Sequence, residues 1–190
     1  MTRLVALHTA LFTRIESIAF AVLPTLARFV FAAVLLGYYW NSALTKLGDG
    51  VFGFLRLSSG AYVQMFPKQM EAAGYDPSML GLGYKLVALA GTWAEFILPL
   101  LLVIGLFTRL AALGMIGFVA VQSLTDVYGH NADADTIGHW FDRIADAHIL
   151  DQRAFWVFVL VYLVFRGAGP VSVDRLVLER PAPRVQAASG

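Results

Sequence analysis

The chain has 190 residues, enough for one domain, of which 58% are hydrophobic and 14% charged. Soluble domains carry about 25% charged residues, so this composition excludes an ordinary water-soluble fold and indicates a membrane protein. The net charge of +1 gives no basic surface for nucleic acid, and the absence of cysteine excludes disulfides, thiol exchange and thiolate-bound iron–sulfur clusters.

The first predicted element is an amphipathic helix. Apolar residues recur at spacings of three and four over residues 4–22, while Arg14 and Glu16 lie elsewhere around the helix. We expect residues 1–24 to lie in the membrane interface, and we expect Pro24 to end this helix.

The first spanning helix is predicted from Thr25 to about Leu47. Arg28 and Lys46 lie near its two ends, where their side chains can extend to the interface. The connection that follows, residues 48–81, combines many glycines with many large apolar residues. It is too apolar for a solvated loop, so we expect short interfacial or re-entrant pieces packed over the mouth of a helix bundle.

Two further spans form a predicted helical hairpin. They run from about Gly83 to Ile104 and from about Arg109 to Tyr128, with Gly105 as the expected C-terminal cap and Thr108 as the expected N-terminal cap. Small residues would let the two backbones approach closely; they are Ala88, Ala90, Gly91, Ala94, Ala111, Ala112, Gly114 and Gly117.

Residues 129–152 are polar and contain three histidines. An apolar repeat within them predicts a second interfacial helix at about 136–149. On such a helix His139, Asp142 and Asp146 would share a face that could bind a metal ion. Such a face is more often simply solvated, so no metal site is predicted.

The fourth span is short, because only Ala154 to Phe165 is continuously apolar. Arg153 and Arg166 would have to extend to the interface for this helix to cross. Residues 177–190 form a polar tail that we expect to be disordered. The arginines of both termini and of the hairpin turn predict that these parts are cytoplasmic.

Glu95 is the most informative residue, because it lies near the middle of an apolar span where an unpaired charge is costly. Pro99 has no N–H to bond the carbonyl of Glu95, so one helical turn offers a carboxyl group and a backbone acceptor. These groups could serve proton transfer beside a quinone-like ligand. Alternatively, Glu95 forms a structural salt bridge to Arg28 or Lys46.

A polar stripe is predicted on the third span, because Gln122, Asp126 and His130 recur at intervals of four. With Glu95 it could line an outward-opening cavity suited to a flat quinone head, walled by residues of the first span, Tyr38, Tyr39, Trp40 and Asn41. The competing interpretation is an aromatic belt at the interface with helix-capping polar groups.

Several of these segments together resemble the DoxX family. The resemblance rests on Arg28, Gly37 and Lys46 in the first span, Glu95 followed by Leu98, Pro99 and Leu100 in the second, the turn 105–109, and the tail 167–174. It covers about residues 25–176 and implies a four-helix membrane bundle. Members of this family are associated with quinone-linked oxidation of sulfur compounds, with membrane oxidoreductase complexes in oxidative-stress defence and with metal-stress operons.

The leading hypothesis is an all-α, multi-pass protein of the bacterial inner membrane that serves as the membrane subunit of a quinone-linked oxidoreductase complex. Glu95 would be the catalytic proton carrier, and a quinone the expected cofactor. The residues expected to bind it are Arg28, Tyr39, Trp40, Asn41, Lys46, Gln122 and Asp126. The expected partners are the lipid bilayer and either other protein subunits or a second copy, with no nucleic acid.

The alternative is a non-enzymatic membrane scaffold or small transporter in a stress-response or metal-handling system. Its buried charges would hold the helices in register, and its outer loop would bind another protein. The sequence leaves open whether the chain itself catalyses a reaction.

Overall fold

A computed structural model describes residues 2–178, and within them the regular structure is helical, with no β-strand and one isolated bridge between Leu47 and Leu57. The α-helices of this part of the chain are α1 (Thr2–Phe31), α2 (Gly37–Lys46), α3 (Ser59–Met65), α4 (Pro67–Ala72), α5 (Leu82–Ile104), α6 (Thr108–Leu124), α7 (Ala134–Ile137), α8 (Arg153–Arg166) and α9 (Val173–Leu178). π-helical turns at Ala32–Leu36, Thr125–Gly129 and His148–Gln152 extend or join these helices, and a 3-10 turn covers Pro77–Met79.

Four helical segments are long and apolar enough to cross a membrane: Arg3–Lys46, Leu82–Ile104, Thr108–Gly129 and His148–Arg166. The first helix packs against α5 and α8, and α6 packs between α5 and α8. The four segments therefore form a ring around one core, which includes Phe31, Leu35, Tyr39, Leu102, Met115, Leu160 and Leu163. This arrangement confirms the predicted four-helix membrane bundle.

The prediction that Pro24 ends a separate N-terminal helix is wrong, because α1 continues through this residue. A proline removes one backbone hydrogen bond, a loss that membrane helices tolerate when the ring is packed. Pro24 is buried, and a Cβ added to Gly169 would lie only 2.9 Å from its Cβ. The tail after α8 therefore packs tightly on the helix at this proline.

The N-terminal part of α1 extends beyond the bundle. Every side chain from Arg3 to Ile18 is exposed, among them Leu4, at 75%. The helix from Arg3 to Lys46 has 44 residues, about 66 Å of α-helix, more than twice the hydrocarbon thickness of a bilayer. The interfacial position of this segment stays a prediction.

The hairpin between α5 and α6 has the predicted C-terminal cap, with Gly105 in the left-handed region at φ 71°. The predicted cap at Thr108 is wrong, because Phe107 takes the boundary position and no side chain there caps the helix. Instead Asp174, on α9, accepts hydrogen bonds from the backbone N–H groups of Phe107 and Thr108, at 2.6 and 3.0 Å. The cap comes from a residue 66 positions away, which local sequence rules do not detect.

Three basic side chains that the sequence places at the interface are buried instead. Arg28 is 6% exposed, Lys46 3% and Arg153 3%. Each finds oxygen acceptors inside the bundle, so extension to the interface is unnecessary. Arg166 lies with its guanidinium 3.6 Å from the ring centroid of Phe20, which is a cation–π contact with α1.

The predicted interfacial helix at 136–149 is wrong. Helix α7 ends at Ile137, because Gly138 has φ 79° and ψ 178°, and Phe141 has φ 67°. Asp142 then accepts a hydrogen bond from the N–H of Ile144, a local turn that competes with a helix. His139, Asp142 and Asp146 therefore share no helical face.

The connection 48–81 contains short helices, as predicted. Helix α3 packs against α2, α4 and α5. A second apolar cluster holds this connection on the bundle, formed by Tyr62, Met70, Leu80 and Ala88. The predicted tail 177–190 lies, apart from its first two residues, outside the described part of the chain.

Candidate functional site

A cavity of about 840 Å³ lies between α2, α5, α6 and α8, at the end of the bundle covered by α3. Helical spacing explains why residues far apart in the sequence meet there. On α2 the lining residues are Tyr38, Ser42 and Lys46; on α5 they are Val87, Gly91, Ala94, Glu95 and Leu98; on α6 they are Gly114, Gly117, Phe118, Val121 and Gln122. Each set follows intervals of three and four, so each forms one helical face. The cavity is therefore formed by the packed faces of the spanning helices.

A buried ion pair forms one polar wall of the cavity. The ammonium of Lys46 donates to Oε2 of Glu95 at 2.8 Å and to Oε1 at 3.0 Å, and the two side chains are 3% and 7% exposed. Ser42 completes the cluster: its Oγ accepts from Lys46 at 2.6 Å and donates to Oε1 of Glu95 at 3.3 Å. Of the two partners considered for Glu95, Lys46 is therefore the correct one.

A second ion pair lines the cavity at the start of α8. Arg153 donates from Nη2 to Oδ2 of Asp126 at 2.5 Å and from Nη1 to Oγ of Ser123 at 2.9 Å. Both charged residues are positioned by π-helical turns: Asp126 lies within the turn Thr125–Gly129, and Arg153 directly follows the turn His148–Gln152. Such turns are frequent at functional sites because they displace side chains from the regular helical register.

Gln122 connects two tyrosines beside these ion pairs. Its Nε2 donates to the hydroxyl of Tyr38 at 2.8 Å, and its Oε1 accepts from the hydroxyl of Tyr39 at 3.5 Å. Tyr38 lines the cavity, whereas Tyr39 is fully buried behind it and packs edge-on against Phe118 and Trp156. Tyr39 thus supports the cavity wall without facing the cavity.

The roof of the cavity joins the end of α3 to the loop after α6. His130 donates from Nε2 to the carbonyl of Gln64 at 2.9 Å, and both residues line the cavity. Asp133, at the rim, caps α7 by accepting from the N–H of Thr136 at 2.7 Å. This hydrogen bond to the backbone of Thr136 holds the pKa of Asp133 below its usual range.

The structure places four of the eight predicted site residues on the cavity wall: Glu95, Lys46, Gln122 and Asp126. His130, the third member of the predicted stripe, lies there too. The others lie elsewhere. Trp40 donates from its indole N–H to the carbonyl of Phe96 at 3.2 Å, and Asn41 is exposed on the outer face of α2.

Arg28 lies at the opposite end of the bundle, where it serves the fold. Its guanidinium donates to four backbone carbonyls, those of Leu102, Val103, Ala168 and Val171, at distances of 2.6–2.9 Å. The proposed pairing of Arg28 with Glu95 is therefore wrong.

Tyr38 lines the cavity, as the sequence predicted for the aromatic wall, whereas Ser42 and Arg153 line it without having been predicted. The sequence did contain a signal for Ser42, because it precedes Lys46 by four residues and so shares its face. Arg153 had no such signal, because it precedes the apolar run of the fourth span and resembles a loop charge.

The cavity suits a molecule with a polar head and an apolar body. Its polar groups offer both donors and acceptors, while the facing surfaces of α5 and α6 are apolar. Within residues 2–178 no three histidine, aspartate or glutamate side chains are grouped closely enough to hold a metal ion.

Comparison with known proteins gives one family. A comparison with curated proteins and a comparison with solved structures each found no match. The family model described as DoxX matches residues 23–126, which contain the part of the first spanning helix that packs in the bundle, α5, α6 and the two ion-paired acidic residues of the cavity, Glu95 and Asp126. The match ends before α8, so the resemblance seen in the tail 167–174 remains a prediction. Because the matched region is more than half of the 190-residue chain, the protein belongs to the DoxX family.

Proposed function

We propose that this protein is the membrane subunit of a quinone-linked oxidoreductase complex, with the head of the quinone bound in the cavity. The observation that carries the proposal is the Lys46–Glu95 pair, with Nζ and Oε2 2.8 Å apart on the wall of a cavity of about 840 Å³. Ionisable groups inside membrane spans are expensive, and they mark ligand or proton sites more often than other residues do.

The shape and chemistry of the cavity support a quinone head. A quinone is flat and carries two carbonyl acceptors, and the cavity offers the remaining guanidinium N–H groups of Arg153 together with the hydroxyl of Tyr38. The ring of Tyr38 and the apolar residues of α5 and α6 provide flat contact surfaces. This match is why a quinone is preferred over a fully charged metabolite, which would need more compensating charge.

Glu95 and Lys46 would manage the protons of the reaction. Reduction of a quinone to a quinol takes up two electrons and two protons. In this proposal a redox-active partner protein supplies both electrons. The carboxylate of Glu95, which lies against the ammonium of Lys46, takes up a proton from water at the cavity mouth and passes it to a quinone oxygen, which restores the ion pair; a second proton from water follows by the same route.

The proposal includes the placement of the protein in the bacterial inner membrane. The hairpin turn and α9 lie at the Arg28 end of the bundle, since Asp174 donates from its N–H to the carbonyl of Gly105 at 2.7 Å and Arg28 donates to the carbonyls of Leu102 and Val103. The N-terminal part of α1 precedes Arg28 and extends from the same end. Arginines of these segments favour a cytoplasmic position for that end. The roofed cavity then faces the opposite side of the membrane.

The proposal is tested by Glu95→Gln in membranes that contain the whole complex. Glutamine keeps the shape of the side chain but cannot carry the proton, so we expect quinone reduction to fall by about a hundredfold while the bundle stays folded. Glu71→Gln, the same change at an exposed position of α4, is the matched control and should leave the rate unchanged. Unchanged quinone reduction in Glu95→Gln would contradict the proposal.

A non-enzymatic scaffold is the second candidate, because the Lys46–Glu95 pair also ties α2 to α5. The double variant Lys46→Gln with Glu95→Gln separates the two functions. It removes both charges but retains groups that can hydrogen-bond to each other, so it avoids an uncompensated buried charge. If it folds and keeps its partners but loses quinone reduction, the cavity serves the reaction; if it folds and keeps the full rate, the scaffold is favoured.

A further inference from the structure

The cavity is closed at two of its ends. Toward the hairpin, Leu98 of α5 fills the space beside α6: a Cβ added to Gly114 would lie 3.0 Å from its Cδ2. At the roof, Met65 of α3 covers α5: a Cβ added to Gly91 would lie 3.1 Å from its Cε. A ligand cannot pass either contact without moving a packed side chain.

The side of the cavity between α5 and α6 is open. Val87 of α5 and Val121 of α6 both line the cavity, yet they are 57% and 63% exposed. Gly117 also lines it and is exposed, and a Cβ added there would meet nothing within 4 Å. These three residues define a lateral gap between the two helices.

The lateral gap opens where hydrocarbon surrounds the protein. Gly117 lies near the middle of the candidate span Thr108–Gly129, and Glu95 lies near the middle of Leu82–Ile104. The gap therefore connects the acyl region of the bilayer with the Lys46–Glu95 pair. Its small and apolar rim matches an alkyl or isoprenoid chain and offers nothing to a hydrated solute.

We infer that the ligand reaches the cavity from within the bilayer through the lateral gap, and that it carries an apolar tail which stays in the gap while its polar head contacts the ion pairs. This inference rests on the proposed quinone site and assigns that site its route of access and its ligand class. The tail remains in an apolar environment throughout, so only the head changes surroundings on binding.

Gly117→Leu tests the inference. Because the position opens into empty space, the leucine side chain can enter the gap without displacing any neighbour. Gly37→Leu is the matched control, since Gly37 is an exposed helical glycine of the first span with nothing within 4 Å and no part in the cavity. Binding is measured on the full chain in lipid nanodiscs, with a benzoquinone that carries a long isoprenoid tail and with the same head without a tail.

We expect Gly117→Leu to weaken binding of the tailed quinone by at least about tenfold. Binding of the tailless head should be unchanged, because this small polar probe can also enter at the polar mouth of the cavity, beside Asp126 and Asp133. Gly37→Leu should change neither. Val121→Trp, a second obstruction of the same gap, should reproduce the result if Gly117→Leu does not fold.

Equal binding of both probes to the obstructed variants and the wild type would overturn the lateral route but leave the quinone site standing. If the obstructed variants bind neither probe while the wild type binds both, the inference is also overturned, because the quinone head, and not only its tail, would then occupy the gap. If the wild type binds neither probe, the proposed quinone site fails together with the inference.

Discussion

Arg153 donates a hydrogen bond of 2.5 Å to Asp126, and this pair joins the end of the third spanning helix to the start of the fourth. The arginine is 3% exposed and the aspartate 31%, so the pair lies at the inner edge of the cavity mouth. Loss of the carboxylate would leave a buried guanidinium whose Nε already makes no hydrogen bond.

Asp126→Ala should therefore destabilise the bundle by about 3 kcal/mol, the lower end of the range for breaking a buried pair. The measurement is the free energy of unfolding in detergent. Asp49→Ala, at an exposed position of the connection after α2, is the control and should change it by less than about 0.5 kcal/mol. Equal effects of the two substitutions would show that the pair contributes no stability.

Arg28→Lys should also destabilise the protein, by about 2–3 kcal/mol, although the charge is kept. The guanidinium donates to four carbonyls from three different nitrogens, at the end of α5 and in the tail after α8. A lysine ammonium donates from one atom and cannot reach all four. Arg14→Lys, on the exposed part of α1, is the matched control, and a melting curve of Arg28→Lys identical to that of the control would refute this role.

Asp174→Ala should remove the cap of α6. Its two carboxylate oxygens accept from the N–H groups of Phe107 and Thr108, and loss of such a cap costs about 1 kcal/mol. Hydrogen exchange at these two amides should become faster, while amides in the middle of α6 keep their protection. Unchanged exchange at both amides would mean that another group satisfies them.

Thr108→Val should not destabilise the protein, because the threonine hydroxyl is buried and makes no hydrogen bond. A methyl group of similar size removes an unsatisfied polar atom. A threonine that caps the helix would instead lose about 1 kcal/mol on this change, so the sign of the measured difference in unfolding free energy separates the two possibilities.

Removal of residues 2–18 should leave the stability of the bundle unchanged, because every side chain from Arg3 to Ile18 is exposed. Phe20, which contacts Arg166, is retained in this variant. The comparison is of thermal unfolding in detergent before and after truncation. A clear fall in melting temperature would reveal a contact between this segment and the bundle.

The spanning helices could be predicted because their apolar runs are long, and Glu95 because a charge in the middle of such a run is conspicuous. Lys46 was named as a possible partner of Glu95 but was expected at the interface, because it lies at the end of its apolar run. The errors arose where distant contacts decide the outcome. Pro24 continues its helix against Gly169, and the cap of α6 comes from Asp174. Neither of these two contacts can be predicted from the local periodicity of the sequence.

The cavity residues, too, could be predicted only in part. The interval of four that relates Gln122, Asp126 and His130 gave one wall correctly. On the first span the residues adjacent in sequence point in different directions, and only the helical register selects Tyr38 over Tyr39. The small residues of α5 and α6 were expected to bring the helices together, and four of them line the cavity: Gly91, Ala94, Gly114 and Gly117.

Native mass spectrometry of the protein, released gently from its own membrane, shows whether the cavity beside Lys46 and Glu95 holds a quinone. We expect a chain that carries one quinone of that membrane, and the bound quinone should be lost when Val121→Trp obstructs the gap. A chain that carries no small molecule, or one that carries only phospholipid, would rule out the quinone site.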